Sequence, residues 1–288
     1  FERLSSSASA KSSTSSATTT TSTSSTSTTT SSDIDVGIHD LSVHQRSRDS
    51  VSSLYRWRYG SSMSLSKTSF ASKRHSNAGL QYTTQFIDVS EGEELACPQG
   101  GYQNLAEAEY IVSVYQYLRL LGHQGHQIAI LATYDEQSAL IRDVMNLRCV
   151  DSPHFGKPND VTTIEKYAGR ECDIVLLSTV RTTQVPEVLE SMPDLVGALS
   201  RARLGLYVFG SRHPCEESYT LTPFMSNYTN IPKQLCLVGG EQHPSARKIN
   251  DTSTPGTSMC QVTGVLHMAS IVRMMVGAPL LPGSVIKR

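Results

Sequence analysis

Two arginines stand where a phosphate could be gripped. Arg201 follows the apolar run Leu195-Val-Gly-Ala-Leu199 and shortly precedes another, Leu204 to Phe209. A guanidinium set between buried segments is costly unless it meets an anion. Its planar donors suit a phosphate, because two of them can bind two oxygens at once. Arg46, at the end of a strand-like run that begins at Leu41, is a second candidate. Two arginines converging on a terminal phosphate would stabilise the charge that spreads during phosphoryl transfer. Arg203 reads instead as a solvated or salt-bridged side chain.

A second segment runs from Val161 through Thr162, Thr163, Gly169 and Glu171 to Asp173, then into the apolar Ile174-Val-Leu-Leu177. A buried strand would deliver Thr162 and Thr163 to the carboxyl edge of a sheet, where α/β folds place their ligands. Gly169 would let backbone approach a ligand closely. Glu171 could accept hydrogen bonds from a ribose. On chemistry alone, an ordinary loop between a strand and a helix accounts for the same residues equally well.

The elements that must carry these residues alternate in type. Thr84–Val89, Ile128–Ala132, Val161–Ile164, Asp173–Ser178 and Leu206–Phe209 read as strands. Asn104 caps a helix with apolar positions at Ala108, Ile111, Val112, Tyr115 and Leu118, ending near Gly122. A second helix spans roughly Glu136–Leu147, with Leu140, Ile141 and Val144 on one face. A third spans Leu195–Arg203. Strand spacing at Leu41 and Val43 gives way to helical spacing at Val51, Leu54 and Tyr55. Residues 60–80 and 90–101 read as loops. Alternating strands and helices predict an α/β fold with a parallel sheet covered on both faces.

Composition narrows the classes further. Residues 5–32 are Ser and Thr apart from Ala8, Ala10, Lys11 and Ala17, so they offer no core-forming side chain and read as disordered. The net charge is −1 and the pI about 6.8, so no bulk positive field argues for nucleic acid. Six scattered cysteines without a C-x-x-C pair favour free thiols. His123 and His126 lack a second ligand pair, and no metal site is expected; the two read as decorating a helix end. No signal peptide and no apolar run of membrane-spanning length occurs, so no membrane partner is expected. The first residue is Phe1 rather than methionine, which reads as a fragment.

Taken as an ordered set, several segments resemble motifs of superfamily 1 helicases of the nonsense-mediated-decay type. They are Thr133-Tyr134-x-x-Gln137, Thr162–Asp173, Ser178-x-Val180-Arg181 and Ser200-Arg-Ala-Arg203. The flanks resemble the intron-binding, spliceosomal branch of that superfamily: Arg46-Ser-Arg-Asp-Ser50, Leu54-Tyr-Arg-Trp-Arg-Tyr59, Asn77-Ala-Gly-Leu80 and Tyr102–Tyr110. Residues 33–240 carry the likeness firmly and the tail carries it loosely. Phe1-Glu-Arg-Leu4 resembles the helix that precedes this domain, which makes the Ser/Thr tract an insertion.

The resemblance implies a second RecA-like domain over residues 33–212, after the Ser/Thr-rich segment 1–32 and before an appendage, 213–288, that is partly irregular. It implies γ-phosphate contacts from Arg46 and Arg201, ATP contacts at Gly169 and Glu171, and Thr133, Thr162 and Thr163 close to an RNA backbone. Such contacts hold RNA without reading its sequence. ATP and Mg²⁺ are the implied cofactors. Intron or pre-mRNA, spliceosomal proteins and a first RecA-like domain are the implied partners, and the nucleus the implied location. No G-x-x-x-x-G-K-[ST] loop or acidic Mg²⁺ motif occurs in these residues, so ATP and Mg²⁺ would be bound mainly by that first domain. Four departures from the family pattern occur: Ala168 replaces a glutamine and Pro193-Asp194 replace arginines, which bear on turnover; Gly197 replaces an alanine, which mainly weakens a helix; and Gln45 stands where many relatives have an aromatic residue, a position that also varies within the spliceosomal branch. The alternatives are a helicase fold kept as a spliceosomal scaffold, or another superfamily 1 RNA or DNA helicase.

Overall fold

The structure is a computed structural model and describes residues 43–65, 75–98, 100–149, 152–249 and 258–277. The Ser/Thr tract, the Phe1–Leu4 segment and Leu41 lie outside the described residues.

In chain order, β1 (Val43–His44) leads into α1 (Asp49–Arg56), and β2 (Ser64–Leu65) pairs parallel with β1. Next come β3 (Thr84–Asp88), the short hairpin β4 (Leu95–Ala96) and β5 (Tyr102–Gln103), and α2 (Leu105–Leu120). Then follow β6 (Ile128–Ala132), α3 (Asp135–Cys149), β7 (Asp160–Thr163), β8 (Cys172–Ser178), α4 (Glu187–Glu190), α5 (Met192–Leu199) and β9 (Ala202–Gly210). The last of the described elements are α6 (Arg212–Glu217), α7 (Thr222–Met225), β10 (Leu235–Gly239), β11 (Ser258–Val262) and α8 (Val265–Gly277).

Five strands form one wholly parallel sheet in the order β3-β9-β8-β6-β7. Alternate residues of each strand feed two separate cores. Ile128, Ile130, Ile174, Leu176, Tyr207 and Phe209 pack beneath α2, α3 and α8. Ala129, Leu131, Val175, Leu177, Leu206 and Val208 face the layer that contains α1, α5 and α7. Helices on both faces explain why these strands are apolar almost without interruption. Asn104 caps α2, its side chain accepting from the Glu107 N–H, and the chain leaves past Gly122 at φ +98°.

Three local expectations need correcting. The third helix is not Leu195–Arg203: it begins at Met192 with Pro193 in its first turn and stops at Leu199. Past Leu199 the backbone turns into the sheet, where Cys172 N–H donates to Arg201 O as β9 starts. The segment 90–101 is no simple loop, since Leu95–Ala96 pair with Tyr102–Gln103. Segment 60–80 likewise includes a 3₁₀ turn to Ser62 and strand β2; its residues 66–74 lie outside the described set. His123 does stand at the end of α2, its N–H donating to Leu118 O, and its ring is buried against Ala78 and His243.

Beyond Gly210 the chain stays attached to the same cores. Leu235, Leu237, Val262, Met268 and Val272 join the core under α2, and Phe224 and Tyr228 pack on Phe86 in the other. All six cysteines are free thiols. Among the described residues, no helix is long and apolar enough to cross a membrane.

Candidate functional site

The parallel sheet sorts the candidate residues onto its two ends. Arg46, Glu171 and Arg201 gather where β8 and β9 begin. Arg46 Nε lies 2.7 Å from Glu171 Oε2, both side chains being more than a third exposed. Arg203 Nη1 reaches the other oxygen of Glu171 at 3.4 Å, and its Nη2 pairs with Asp173 Oδ1 at 2.8 Å. The salt-bridged reading of Arg203 therefore holds. A register irregularity between Cys172 and Ile174 of β8, opposite Ala202 and Gly205 of β9, aims these side chains.

Arg201 sits in the turn between α5 and β9. Its Nε donates to Gly197 O at 2.7 Å, its Nη1 to Arg170 O at 3.1 Å and its Nη2 to Ser200 Oγ at 2.9 Å. Each of those Nη atoms carries a second hydrogen. The orientation is thus set by local bonds before any ligand arrives. Partial burial lowers the Arg201 pKa from its ordinary value, and the nearby positive Arg46 lowers it further. The two cations repel each other, and an anion placed between them would relieve that repulsion. Gly169 lies in the segment leading to Glu171 at φ +79°, with open space where a side chain would be.

Thr133, Thr162 and Thr163 lie at the opposite end. Thr163 ends β7 and Thr133 follows β6. The Thr133 hydroxyl donates to Thr179 O at 3.0 Å. Thr163 is buried, while Thr133 and Thr162 are half-buried. Seven residues of β8 separate the two ends, roughly 20 Å at the usual strand rise.

Sequence reasoning passed over the polar network beneath this carboxyl edge. Glu107 is fully buried, and its Oε2 accepts from Ser178 Oγ at 2.6 Å and Val180 N–H at 2.9 Å. Gln137 Nε2 donates to Ser178 Oγ and to Asn104 O, and Asn104 N–H donates back to Gln137 Oε1. Burial pushes the Glu107 carboxyl up to about 8, although the bonds from Ser178 and Val180 oppose the shift. Val180 has φ +70°, an uncommon conformation for a β-branched residue. The signal was Asn104-x-x-Glu107, the spacing of a helix cap with an acid at its third position. Here the acid leaves the Asn104 N–H to Gln137: its Oε1 accepts from the Asn104 side-chain amide at 3.3 Å, and its Oε2 holds the end of β8.

A family model described as an AAA domain matches residues 29–213. RNA helicase aquarius of Mus musculus is 41% identical over 214 residues, which is 73% of this chain and 14% of that protein. Pre-mRNA-splicing factor cwf11 of Schizosaccharomyces pombe is 30% identical over 241 residues, 82% of this chain and 18% of that protein. The helicase required for RNAi-mediated heterochromatin assembly 1, also of Schizosaccharomyces pombe, is 38% identical over 120 residues, 41% of this chain and 12% of its own length. The chain thus spans less than a fifth of each of these relatives. The AAA-domain match takes in the parallel sheet and all four ordered motifs, and the chain belongs to this family of superfamily 1 helicases.

Proposed function

We propose that this chain is the second RecA-like domain of an ATP-dependent RNA helicase that acts on intron RNA during pre-mRNA splicing, in the nucleus. The observation that carries the reading is the meeting of Arg46, Arg201 and Glu171 at one end of the sheet. Arg201, already oriented by three local bonds, and Arg46, within reach through a side chain 42% exposed, would face the γ-phosphate across an interdomain cleft. Held there, they would stabilise the charge that develops as the phosphoryl group leaves, with little reorganisation. Glu171 would exchange its arginine partners for a ribose hydroxyl. Among the described residues, no three His, Cys, Asp or Glu side chains gather into a set able to hold a cation. The Mg²⁺ that accompanies the nucleotide would therefore be held by the first RecA-like domain. Thr133 and Thr162, at the far edge, would meet RNA phosphates and sugars. Spliceosomal proteins are the expected neighbours, as the name of the fission-yeast pre-mRNA-splicing factor suggests.

In the complete protein, Arg201→Ala is expected to lower RNA-stimulated ATP turnover at least tenfold, about 1.4 kcal/mol of transition-state stabilisation. Unchanged turnover would remove the arginine from the mechanism. A second reading, a helicase fold kept as a scaffold, is favoured by Ala168 and by Pro193-Asp194, which begin α5 instead of supplying cations. It expects no turnover to lose, and complex assembly unaffected by the same substitution.

A further inference from the structure

The turn after β8 forms an anion cradle that one of the protein's own carboxylates fills. Four donors from three consecutive residues converge on Glu94. Arg181 Nε lies 3.0 Å and Thr182 N–H 2.6 Å from its Oε2. Thr183 N–H also approaches Oε2, at 3.4 Å, and the Thr183 hydroxyl donates to Oε1 at 2.9 Å. Successive backbone N–H groups joined by a guanidinium and a hydroxyl are the donor set that turns use for phosphate. Burial alone would raise the Glu94 pKa, but the bonds from Thr182, Arg181 and Thr183 outweigh it and hold the carboxyl at about 2.

The cradle is firmly built, while the carboxylate reaches it from an irregular segment. Behind the turn, Val180 N–H is held by buried Glu107 and Thr179 N–H by Phe209 O. The Arg181 guanidinium lies 3.8 Å from the centroid of the Tyr102 ring, and Tyr102 packs edge-on to Tyr134. Glu94 itself comes from the irregular stretch between β3 and β4. The donors belong to the end of β8 and its turn, and the acceptor to the irregular stretch before β4.

We propose that Glu94 stands in for a backbone phosphate of single-stranded RNA, and that RNA must displace it from Arg181, Thr182 and Thr183 to be gripped. This rests on reading the carboxyl edge as the RNA-facing one: Thr133 bonds Thr179 at the start of the same turn. The arginines assigned to nucleotide lie at the other end of the sheet, which separates a phosphodiester here from ATP phosphates there. The self-contact lowers apparent RNA affinity by the fraction of time the cradle is closed.

The test uses the full 288-residue chain and a fluorescent twelve-nucleotide oligouridylate, titrated at several salt concentrations. Glu94→Ala is expected to tighten binding at least about fivefold, as lifting a closed fraction of four fifths would. The log–log slope of its salt dependence is expected to stay within about 0.3 of the parent's, because parent and variant grip the same phosphates once RNA is bound. Arg181→Ala is expected to weaken binding and, combined with Glu94→Ala, to cancel the gain. Excess ATP is expected to leave the Glu94→Ala gain unchanged, whereas ATP competing it away would assign the cradle to nucleotide and overturn the proposal. If Glu94→Ala does not fold by circular dichroism, Glu94→Gln keeps the shape while removing the charge, and a gain of about twofold is expected. A folded Glu94 variant that binds no tighter than the parent overturns the proposal. So does a gain that persists without Arg181, which would mark general relief of negative charge. If the parent binds RNA, and Thr162→Ala weakens it while Glu94→Ala changes nothing, only the displaced-carboxylate proposal fails. If neither parent nor variants bind at low salt, the RNA reading of this edge fails with it.

Discussion

Glu107 and Glu94 show how far one side chain's surroundings can push the same chemistry in opposite directions. Both accept several hydrogen bonds, yet Glu107 rises to about 8 and Glu94 falls to about 2. No arginine or lysine is bonded to Glu107, and full burial governs it; Glu94 has the Arg181 guanidinium beside it. The signs carry separate predictions. An acid whose folded pKa is raised binds a proton that the unfolded chain has released, so stability falls as pH rises from about 4.5 to about 8 and then levels. Glu107→Gln removes that loss. Its cost, about 1–3 kcal/mol at pH 5 from disturbed hydrogen bonds, is expected to shrink steadily by pH 8 in paired urea titrations. A cost independent of pH would mean that the carboxyl ionises in the folded protein as it does in the unfolded one. Glu94 works the other way: its stabilisation is present above about 4.5 and lost as pH falls towards 2. The Glu94→Ala and parent melting temperatures are therefore expected to converge in acid.

Helix α2 shows the same dependence on context at the scale of an element. Its cap and its apolar stripe at Ala108, Ile111, Val112, Tyr115 and Leu118 were legible, but a stripe predicts one buried face. In the fold almost the whole helix is buried, because the sheet lies on one side and α8 and the β10–β11 pair lie on the other. The covering residues are more than a hundred positions away in the chain, and four prolines between Pro214 and Pro244 hid the regularity of that region. Met268, fully buried on α8, marks the contact. Met268→Ala is expected to cost about 2–5 kcal/mol, read as a lower urea midpoint with an unchanged slope. A cost under 0.5 kcal/mol, the scale of an ordinary surface substitution, would mean that α8 contributes little to the core. Helix α5 carries a smaller lesson. Leu195–Arg203 reads as one helix because its apolar spacing continues, but at Ala202 the backbone enters the sheet beside β8, where pairing offers every amide a partner.

For the whole molecule, the parallel sheet acts as a spacer between two chemistries. Every strand runs the same way, so residues that precede strands collect at one end and residues that follow them collect at the other. Glu171 and Arg201 are of the first kind, with Arg46, which follows β1, joined to them by its ion pair to Glu171; Thr133 and the Arg181 turn are of the second, with Thr162 in the last residues of β7. Substitutions at the two ends share no partner, and their effects on binding are expected to add within about 0.5 kcal/mol. In the complete protein, Arg46→Ala is expected to weaken ATP use without changing RNA affinity in the absence of nucleotide, and Thr162→Ala to do the reverse. Coupling well above that figure between Arg46→Ala and Thr162→Ala in nucleotide-free RNA binding would mean that the ends communicate within this domain and not through closure against another.

The strands, the α2 cap and the candidate arginines could be read directly because each depends on short-range pattern: apolar runs, a capping asparagine, a charge between buried segments. The ordered motifs could be read because their order survives in the linear chain. Only the folded chain decided which charges meet. Arg46 and Glu171 are far apart in sequence, as are Glu94 and Arg181, and both pairs are brought together by strand order and by where β8 begins and ends. The elevated Glu107 and the left-handed Val180 were likewise invisible. Burial and backbone strain belong to the packed surroundings of a residue, and no local pattern along the chain encodes them.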